Sequence, residues 1–298
     1  MNIKLLNTLR RATQFAWLLL CNSFLSVFFR HKIYTGPLKC SCVPFLYCHA
    51  CPSATFSCPM GTLQHYVAIR KIPFFLAGHM SLIGLMIGRT TCGWFCPFGL
   101  IQDLLARLSP KKFELPRFFA KFPYLVLAVL VLFLPYLTGE HWYSKLCPFG
   151  TIVAGIPWVT WNPINPETNE HTVAPGSVGI LFAIKMMILV GFLGLFTVVK
   201  RPFCRYVCPM GLFFSWFNGL SLVQLRVSEN CTHCGACKKS CPVDLKVYEE
   251  PNSPACIRCL NCTACKHVDV AAPILESWRS DAKRQEKDLL DGEIDCEP

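Results

Sequence analysis

Long runs of apolar residues recur along the chain and alternate with shorter polar stretches. Four of these runs approach the roughly 20 residues that a helix needs to cross a bilayer, at positions 12–29, 72–88, 122–137 and 178–199. The first run follows Lys4, Arg10 and Arg11, but no small-residue cleavage site comes after it, which favours a membrane anchor over a signal peptide. The pattern therefore predicts a mainly α fold with a four-span transmembrane helical domain over residues 1–225.

Basic residues predict the orientation of this domain. Lys145 is the one Lys or Arg between positions 138 and 176, whereas many such residues follow the second and fourth runs: Arg107, Lys111, Lys112, Arg117, Lys121, Lys200, Arg201 and Arg205. Since cytoplasmic loops carry an excess of Lys and Arg, we expect a multi-pass protein of the cell inner (cytoplasmic) membrane with both termini in the cytoplasm. Four basic residues oppose this orientation: Lys32, Lys39, Arg70 and Lys71.

The composition agrees with a membrane protein. Hydrophobic residues make up 53% of the 298-residue chain and charged residues 16%, and the mean hydropathy is +0.39, which is too apolar for a soluble domain of this length. The twenty cysteines accompany long apolar runs and fall into metal-ligand spacings, which favours metal thiolates over a disulfide framework. The net charge of +11 lies mostly beside the apolar runs and not on one basic face, which argues against nucleic-acid binding.

A short, polar, cysteine-rich stretch follows the apolar domain at residues 226–275, and a charged tail follows at 276–298. The stretch opens with the spacing Cys-x2-Cys-x2-Cys-x3-Cys-Pro, formed by Cys231, Cys234, Cys237, Cys241 and Pro242. In two-cluster ferredoxins the first three cysteines of this spacing bind one 4Fe-4S cluster and the fourth binds the other. A structural zinc site uses two pairs of ligands and has no use for the third Cys-x2 step. The stretch is therefore predicted to be a small α+β ferredoxin domain.

A second cysteine run completes the predicted pair of ferredoxin clusters. It consists of Cys256, Cys259, Cys262 and Cys265. By crossed ligation, Cys241 completes the cluster bound by Cys256, Cys259 and Cys262. Cys265 completes the cluster bound by Cys231, Cys234 and Cys237. The run departs from the usual spacing, because two residues separate Cys262 from Cys265 and Lys266 stands where a proline is usual.

The tetrapeptide Cys-Pro-x-Gly, in which x is Met or Phe, occurs four times before the ferredoxin stretch, at Cys58, Cys96, Cys147 and Cys208. Threonine follows the first and third copies, and leucine follows the second and fourth. The second and fourth copies also share a cysteine four residues upstream, at Cys92 and Cys204. The apolar domain is therefore predicted to consist of two related halves, as many membrane carriers do.

The order Cys-Pro suits the start of a helix. Proline is favoured at the first helical position, because its φ is already helical and its missing N–H is not needed there. Each motif cysteine is thus expected at a helix N-terminus, where free N–H groups and the positive end of the helix dipole stabilise an anionic thiolate cluster. The glycine allows the cluster or a neighbouring backbone to approach closely. An ordinary helix start does not require this repetition, so four copies favour the metal function.

The predicted sidedness groups these cysteines into two sets of four, and four thiols are what one 4Fe-4S cluster needs. The cytoplasmic end holds Cys92, Cys96, Cys204 and Cys208, and the opposite side holds Cys48, Cys51, Cys58 and Cys147. We therefore expect two further clusters in the membrane domain, one near each face. Three roles stay open for Cys40 and Cys42: alternative ligands, a redox-active pair, or no metal role. Cys21 is expected to be a small core residue.

These motifs resemble those of the polyferredoxin-type membrane proteins of the periplasmic nitrate reductase H subunit family. The methylamine-utilisation, nitrous-oxide-reductase regulatory and cytochrome-oxidase assembly polyferredoxins are related to that family. The resemblance covers roughly residues 72–270 and rests on the two Cys-x3-Cys-Pro segments followed by the eight-cysteine ferredoxin. It implies electron transfer between the quinone pool, or a cytoplasmic donor, and partner redox proteins. The region 40–58 and Cys147 are less typical of that family, so a role in nitrate reduction is not carried over.

The predicted function is membrane electron transfer, as a component of an oxidoreductase complex, between the ferredoxin module, the intramembrane clusters and the quinone pool or an outer-side partner. The alternative is an assembly or maturation reductase that delivers electrons to a metal or thiol client. A redox sensor would need an output domain, and none is visible. The sequence contains no Cys-x2-Cys-His motif for covalent haem, and no phosphate loop, hydrolase elbow or paired-carboxylate signature.

Two polar residues within the predicted spans have open roles. His79 either binds a haem or a quinone or is a satisfied residue of the helix bundle. Lys185 either extends outward to the membrane surface or faces the outer cluster and offsets its charge.

Overall fold

The computed structural model describes residues 3–30, 33–109, 112–113, 116–162 and 178–272. The predicted tail at 276–298 lies outside these residues, and so do Lys32 and Lys111 of the charge pattern. The described chain is mainly helical and has one two-stranded sheet near its end. The mainly α fold that the apolar pattern predicts is therefore confirmed.

The helices up to residue 109 are α1 (Ile3–Cys21), α2 (Val27–Arg30), α3 (Pro59–Ala68), α4 (Phe74–Ile87), α5 (Thr90–Trp94) and α6 (Pro97–Leu105). The loop between α2 and α3 contains a 3₁₀ turn, Pro37–Cys40, and then turns inward, because Val43, Phe45, Leu46 and Tyr47 are buried. Trp17 of α1 packs edge-on against Phe45 at 5.6 Å and against Phe95 at 5.7 Å. The apolar part of the loop thereby belongs to the core.

The later helices are α7 (Phe122–Val126), α8 (Leu134–Thr138), α9 (Trp142–Leu146), α10 (Pro148–Gly150), α11 (Ile156–Trp161), α12 (Ile180–Val198), α13 (Pro202–Tyr206) and α14 (Pro209–Ser215). A π-helical segment, Leu127–Phe133, joins α7 to α8, and a 3₁₀ turn, Arg117–Lys121, precedes them. Phe118–Thr138 is therefore one helical run. A second π-helical segment, Thr151–Gly155, joins α10 to α11.

Within the described residues, two helices are long and apolar enough to cross a membrane: Phe118–Thr138 with 21 residues and Ile180–Val198 with 19. Only 22% and 11% of their most apolar windows are buried, whereas a core helix of a soluble protein is mostly buried. They correspond to the third and fourth predicted spans. The second predicted span forms α4, whose 14 residues extend about 21 Å at 1.5 Å per residue, less than the roughly 30 Å of a bilayer core. Four spans therefore remain a prediction.

The first predicted span, 12–29, is not one continuous helix, because a turn separates α1 from α2. In addition, Arg10 and Gln14 of α1 are buried. The Nε2 of Gln14 donates to the carbonyl oxygens of Gly93 and Cys96, both at 3.2 Å. The helix α1 thus packs a polar stripe against α5 and α6, and the hydropathy average of the segment conceals that stripe.

The cysteine-rich stretch forms a small unit with its own core, which we call the ferredoxin unit. Strand β1 (Gln224–Val227) pairs antiparallel with β2 (Val268–Ala271), with Gln224 opposite Ala271. Between the strands lie α15 (Ala236–Ser240) and a 3₁₀ turn, Asn261–Ala264. Its core consists of Leu225, Cys237, Val247, Cys256, Cys262 and Val268. The predicted α+β architecture is present, whereas the predicted boundary between residues 225 and 226 falls inside β1.

Candidate iron–sulfur sites

Each Cys-Pro-x-Gly motif begins a helix. The motif cysteines are the N-cap residues of α3, α6, α10 and α14: Cys58, Cys96, Cys147 and Cys208. The residue after each proline is buried in the core: Met60, Phe98, Phe149 and Met210. The prediction that these cysteines lie at helix N-termini is therefore confirmed.

The backbone of each motif glycine faces the motif sulfur. The N–H of Gly211 donates to Sγ of Cys208, with a nitrogen–sulfur distance of 3.4 Å. The N–H groups of Gly61, Gly99 and Gly150 are hydrogen-bonded to the cysteines of their own motifs in the same way. Burial raises the pKa of these thiols, and the glycine N–H acts to lower it. The donors favour a charged sulfur in a buried place, and the thiolate is the form that binds metal.

The first of the two predicted membrane sets lines one small cavity. We call it the inner set, and it comprises Cys92, Cys96, Cys204 and Cys208. All four residues are at most 8% exposed. The Nε2 of Gln102 donates to Sγ of Cys204 at 3.1 Å. The structure thus brings together the two cysteine pairs that the internal repeat groups.

Two buried arginines cross between the halves at the inner set. The Nη1 of Arg201 donates to the carbonyl oxygen of Cys92 at 3.1 Å, and the Nη2 of Arg89 donates to that of Cys204 at 3.1 Å. Each arginine precedes its own cysteine pair by three residues and yet contacts the first cysteine of the other pair. The halves are therefore interlocked around the inner set.

The motif glycines make room for these arginines. A Cβ added to Gly99 would lie 3.2 Å from Nη1 of Arg201, and one added to Gly211 would lie 2.8 Å from Nη2 of Arg89. Reasoning from cysteine spacing alone misses both arginines. The signal was present in the sequence, since both halves contain the extended spacing Arg-x2-Cys-x3-Cys-Pro.

Arg201 also belongs to a buried charge network. Its Nε and Nη2 donate to the two carboxylate oxygens of Asp103, both at 2.6 Å. Arg10 contacts the same carboxylate at 2.9 Å. The two arginine side chains are 3% and 1% exposed and the Asp103 side chain is 12% exposed. One carboxylate thus serves two buried cations beside the inner set.

The second predicted membrane set is only partly assembled. Three of its cysteines line one cavity, and we call them the outer set: Cys48, Cys58 and Cys147. Tyr47, His49 and Tyr143 line the same cavity. The fourth predicted member, Cys51, is buried but does not line this cavity. Its Sγ lies 3.3 Å from Oδ1 of Asn22 and 3.3 Å from Oγ of Ser53. The structure therefore groups three of the four predicted cysteines.

The inner and outer sets are neighbours in the core. Leu46 lines both cavities. The motif phenylalanines Phe98 and Phe149 also meet, with their ring centroids 5.1 Å apart. The loop carrying Leu46 folds inward and lies between the two cavities. The placement of the two sets toward opposite membrane faces stays a prediction.

The second ferredoxin set is assembled as crossed ligation predicts. Four cysteines line one cavity: Cys241, Cys256, Cys259 and Cys262. The backbone N–H of Leu245 donates to Sγ of Cys241 at 3.5 Å, and that of Arg258 donates to Sγ of Cys256 at 3.4 Å. The spacing pattern therefore identified this group although Cys241 belongs to the first run.

The first ferredoxin set lies nearer the surface. Cys234 is exposed, Cys231 and Cys265 are half-buried, and Cys237 is buried. The backbone N–H of Ala236 and the side chain of Thr232 lower the pKa of Cys234. Cys265 packs against the small core that contains Cys237. Despite its unusual spacing, Cys265 therefore lies in the same core as one of its predicted partners.

The ferredoxin unit packs closely against the inner set. A Cβ added to Gly93 would lie 2.4 Å from the carbonyl oxygen of Ile257. The Nδ2 of Asn218 donates to the carbonyl oxygen of Cys256 at 2.7 Å, and its Oδ1 accepts from the backbone N–H of Arg89 at 3.0 Å. The inner set and the second ferredoxin set are therefore separated by a tight, hydrogen-bonded backbone contact.

Gly93→Ala is expected to loosen this contact, because the new methyl group has to displace backbone. The matched control is Gly191→Ala in α12, where a Cβ meets nothing within 4 Å and a helical alanine is favoured by about 1 kcal/mol. Limited proteolysis of the ferredoxin unit measures the effect: Gly93→Ala should raise the cleavage rate and Gly191→Ala should not. Equal cleavage of both variants would contradict the contact.

Within the described part of the chain, no group of three or more His, Cys, Asp or Glu side chains is placed to hold one metal ion. Cysteines that each bind a different iron of a cubane stand farther apart than the ligands of one ion. The buried thiols, the N–H donors and the nearby arginines fit an anionic 4Fe-4S cluster.

The remaining candidates are placed as follows. His79 is half-buried and packs edge-on against Phe75 at 5.9 Å. Lys185 lines a cavity next to the outer set, which agrees with its inward-facing alternative. Cys40 is exposed, and Sγ of Cys42 lies 3.3 Å from Oγ1 of Thr62. Cys21 is a buried core residue, as expected.

Comparison with known proteins places these sites in context. A family described as a 4Fe-4S binding domain matches residues 72–116, 121–160 and 181–227, which contain the inner set and Cys147. An uncharacterized protein of Methanocaldococcus jannaschii is 30% identical, over 70% of this chain and 83% of its own length. No solved structure matches the chain.

Two further relatives have descriptive names. The putative electron transport protein YccM of Escherichia coli is 24% identical, over 77% of this chain and 64% of its own length. The methylamine utilization ferredoxin-type protein MauN of Methylobacillus flagellatus is 28% identical, over 56% of this chain and 52% of its own length. The chain thus spans less than two thirds of these two relatives.

The helical fold, the ferredoxin unit and the matched domain define an iron–sulfur protein that binds 4Fe-4S clusters. The similarity extends over most of the chain to proteins named for electron transport and ferredoxin-type function. The chain belongs to the same family as the Methanocaldococcus jannaschii protein, and the two relatives with descriptive names support a polyferredoxin-type electron-transfer family.

Proposed function

We propose that this protein holds four 4Fe-4S clusters in a membrane and carries electrons between its ferredoxin unit and the outer set, where a quinone or an outer-side redox protein exchanges them. The chain spans the inner membrane several times in this proposal, with lipid around its apolar helices and both termini in the cytoplasm. This role is similar to that of the periplasmic nitrate reductase H subunit family, without a role in nitrate reduction.

One observation carries the proposal: the four cysteine sets follow one another through direct contacts. The outer and inner sets share Leu46. Gly93 beside the inner set touches the backbone of Ile257, which lines the second ferredoxin set. The two ferredoxin sets share one small core. Electron transfer falls steeply with distance, so such a succession is what a conduit requires.

The bound clusters supply one-electron redox chemistry, and the chain's own residues position them and set their potentials. Hydrogen bonds to the sulfurs and nearby charge are the main protein influences on such a potential. At the inner set these are Gln102, which donates to Sγ of Cys204, and the crossed arginines Arg89 and Arg201. Burial of all four thiols excludes water. The exposure of Cys234 supports access of a soluble partner to the first ferredoxin set.

The test uses protein that is purified anaerobically and placed in vesicles. It is expected to contain about sixteen irons, four for each filled set. After reduction with dithionite it should be reoxidised fully by a quinone analogue or an outer-side acceptor, with no metal or thiol client present.

Two outcomes would contradict the proposal. Iron near eight per chain, or about two clusters, would leave only the ferredoxin unit filled and remove the membrane sets from the pathway. Reoxidation that requires a metal or thiol client would indicate an assembly reductase. Both measurements use the same client-free preparation, so that a failure of reoxidation can be compared directly with its iron content.

A further inference from the structure

We propose that the cluster at the outer set has only three cysteine ligands, Cys48, Cys58 and Cys147, and that its fourth iron is open to a small anionic ligand from the adjoining cavity. This inference rests on the proposed function, which places a 4Fe-4S cluster at the outer set. It differs from the sequence prediction, in which Cys51 supplies the fourth sulfur.

Cys51 is held in a separate polar network. The Oδ1 of Asn22 accepts from the hydroxyl of Tyr47 at 2.6 Å, from the hydroxyl of Ser53 at 2.8 Å and from the thiol of Cys51 at 3.3 Å. These contacts direct Sγ of Cys51 toward Asn22 and Ser53, and Cys51 does not line the cavity that Cys48, Cys58 and Cys147 share. The network therefore gives Cys51 a structural role beside the outer set.

A cavity of about 430 Å³ adjoins the outer set, within the range of about 300–1,000 Å³ that small-molecule sites occupy. Its lining shares four residues with that of the outer set: Cys48, His49, Ser144 and Gly150. Trp158 and Phe182 supply apolar surface on its other walls. The two cavities therefore adjoin through these four residues, and Cys48 borders both.

The polar lining of the cavity includes two lysines. Lys145 and Lys185 both line it, and Glu140 contacts the Nζ of Lys145 at 2.6 Å. Lys185 lies on the otherwise apolar helix α12. The Nε2 of His141, another lining residue, is buried and has no hydrogen-bond partner. An intramembrane lysine of this kind usually marks an ion or ligand pathway.

These contacts indicate the ligand class. Lys145 is already paired with Glu140, so the ammonium group of Lys185 is the charge that favours a negatively charged group, and the aromatic walls favour a compact apolar body. The fourth iron of a cubane that lacks a protein thiolate accepts such a group directly. We therefore expect small anions to bind at the outer set and not at the inner set, whose cavity has four thiols.

The experiment adds isotopically labelled cyanide to the dithionite-reduced full-length protein and records electron–nuclear double resonance. The expected result is a hyperfine coupling to the label on the one signal that Cys58→Ala and Cys147→Ala remove. Cys51→Ala should retain this signal and its iron, whereas Cys48→Ala should lose both. Lys185→Met should weaken cyanide binding at least about tenfold, since it removes one nearby positive charge, and the exposed Lys246→Met is the matched control.

The outcomes separate this inference from the proposed function. Loss of the outer signal in Cys51→Ala, or cyanide that binds to no cluster, would overturn the three-thiol assignment while the four-cluster conduit stands. Wild-type protein that holds about twelve irons and lacks the outer signal would instead refute the proposed function at this set. Cyanide coupling to the signal that depends on Cys96 would also overturn the inference.

Discussion

Alanine at either Cys96 or Cys208 is expected to remove the same paramagnetic signal from the reduced protein, together with about four irons. The two cysteines come from different halves of the repeat and line one cavity. Removing either thiolate leaves one iron of a shared cluster without its ligand, and residues that act as one unit are non-additive. The double variant should therefore lose little more than either single variant. Electron paramagnetic resonance and iron analysis of anaerobically purified variants provide the measurement.

The matched comparison is at the outer set, where Cys58→Ala and Cys147→Ala should remove a second, different signal. Cys40→Ala, which changes an exposed cysteine, should retain every signal. If Cys58→Ala and Cys96→Ala erased one common signal, each half of the chain would bind its own cluster. The pairing across the halves would then be wrong.

Ligand grouping could be predicted from the sequence wherever chemistry imposes a local spacing. The ferredoxin motif predicted that Cys241 joins the second run, because the fourth cysteine of this spacing ligates the other cluster in two-cluster ferredoxins. The Cys-Pro order predicted helix N-termini because proline at the first helical position is a local backbone effect. The repeat then paired Cys92/Cys96 with Cys204/Cys208, and the structure places these residues around one cavity.

The outer set was harder to predict because its assembly depends on a loop. Cys48 and Cys51 are close in sequence and were both predicted as ligands, but Cys48 lines the cavity with Cys58 and Cys147, whereas Cys51 contacts Asn22. The partner of Cys51, Asn22, lies 29 residues away. The spacing of cysteines in the sequence gives no information about contacts between residues so far apart in the chain.

Helices of membrane-spanning length were predicted correctly only where hydropathy was uniform. The runs at 122–137 and 178–199 match helices of sufficient length. The run at 12–29 failed as one helix, because hydropathy averages over a segment and ignores which face each residue occupies. Arg10 and Gln14 lie on the buried face of α1, where they bind partners that the sequence window does not include.

Buried charge was the largest omission of the sequence-based reasoning. Lys and Arg were counted there as topology signals, so Arg201 was expected to be a cytoplasmic loop residue. In the structure it is 1% exposed and pairs with Asp103, which is 98 residues away. Only the three-dimensional fold shows that a single carboxylate neutralises charge beside the inner set.

Asp103→Asn is expected to destabilise the protein by about 3–5 kcal/mol, because breaking a buried ion pair leaves an uncompensated buried charge. Here two arginines, Arg10 and Arg201, lose their common carboxylate, and asparagine replaces only part of the hydrogen bonding. The free energy of unfolding, from urea titration in detergent followed by tryptophan fluorescence, measures the loss. The matched control is Glu249→Gln, which removes the exposed pair with Lys246 and should change stability by about 0–1 kcal/mol. Equal stability of the two variants would show that Asp103 does not hold this network together.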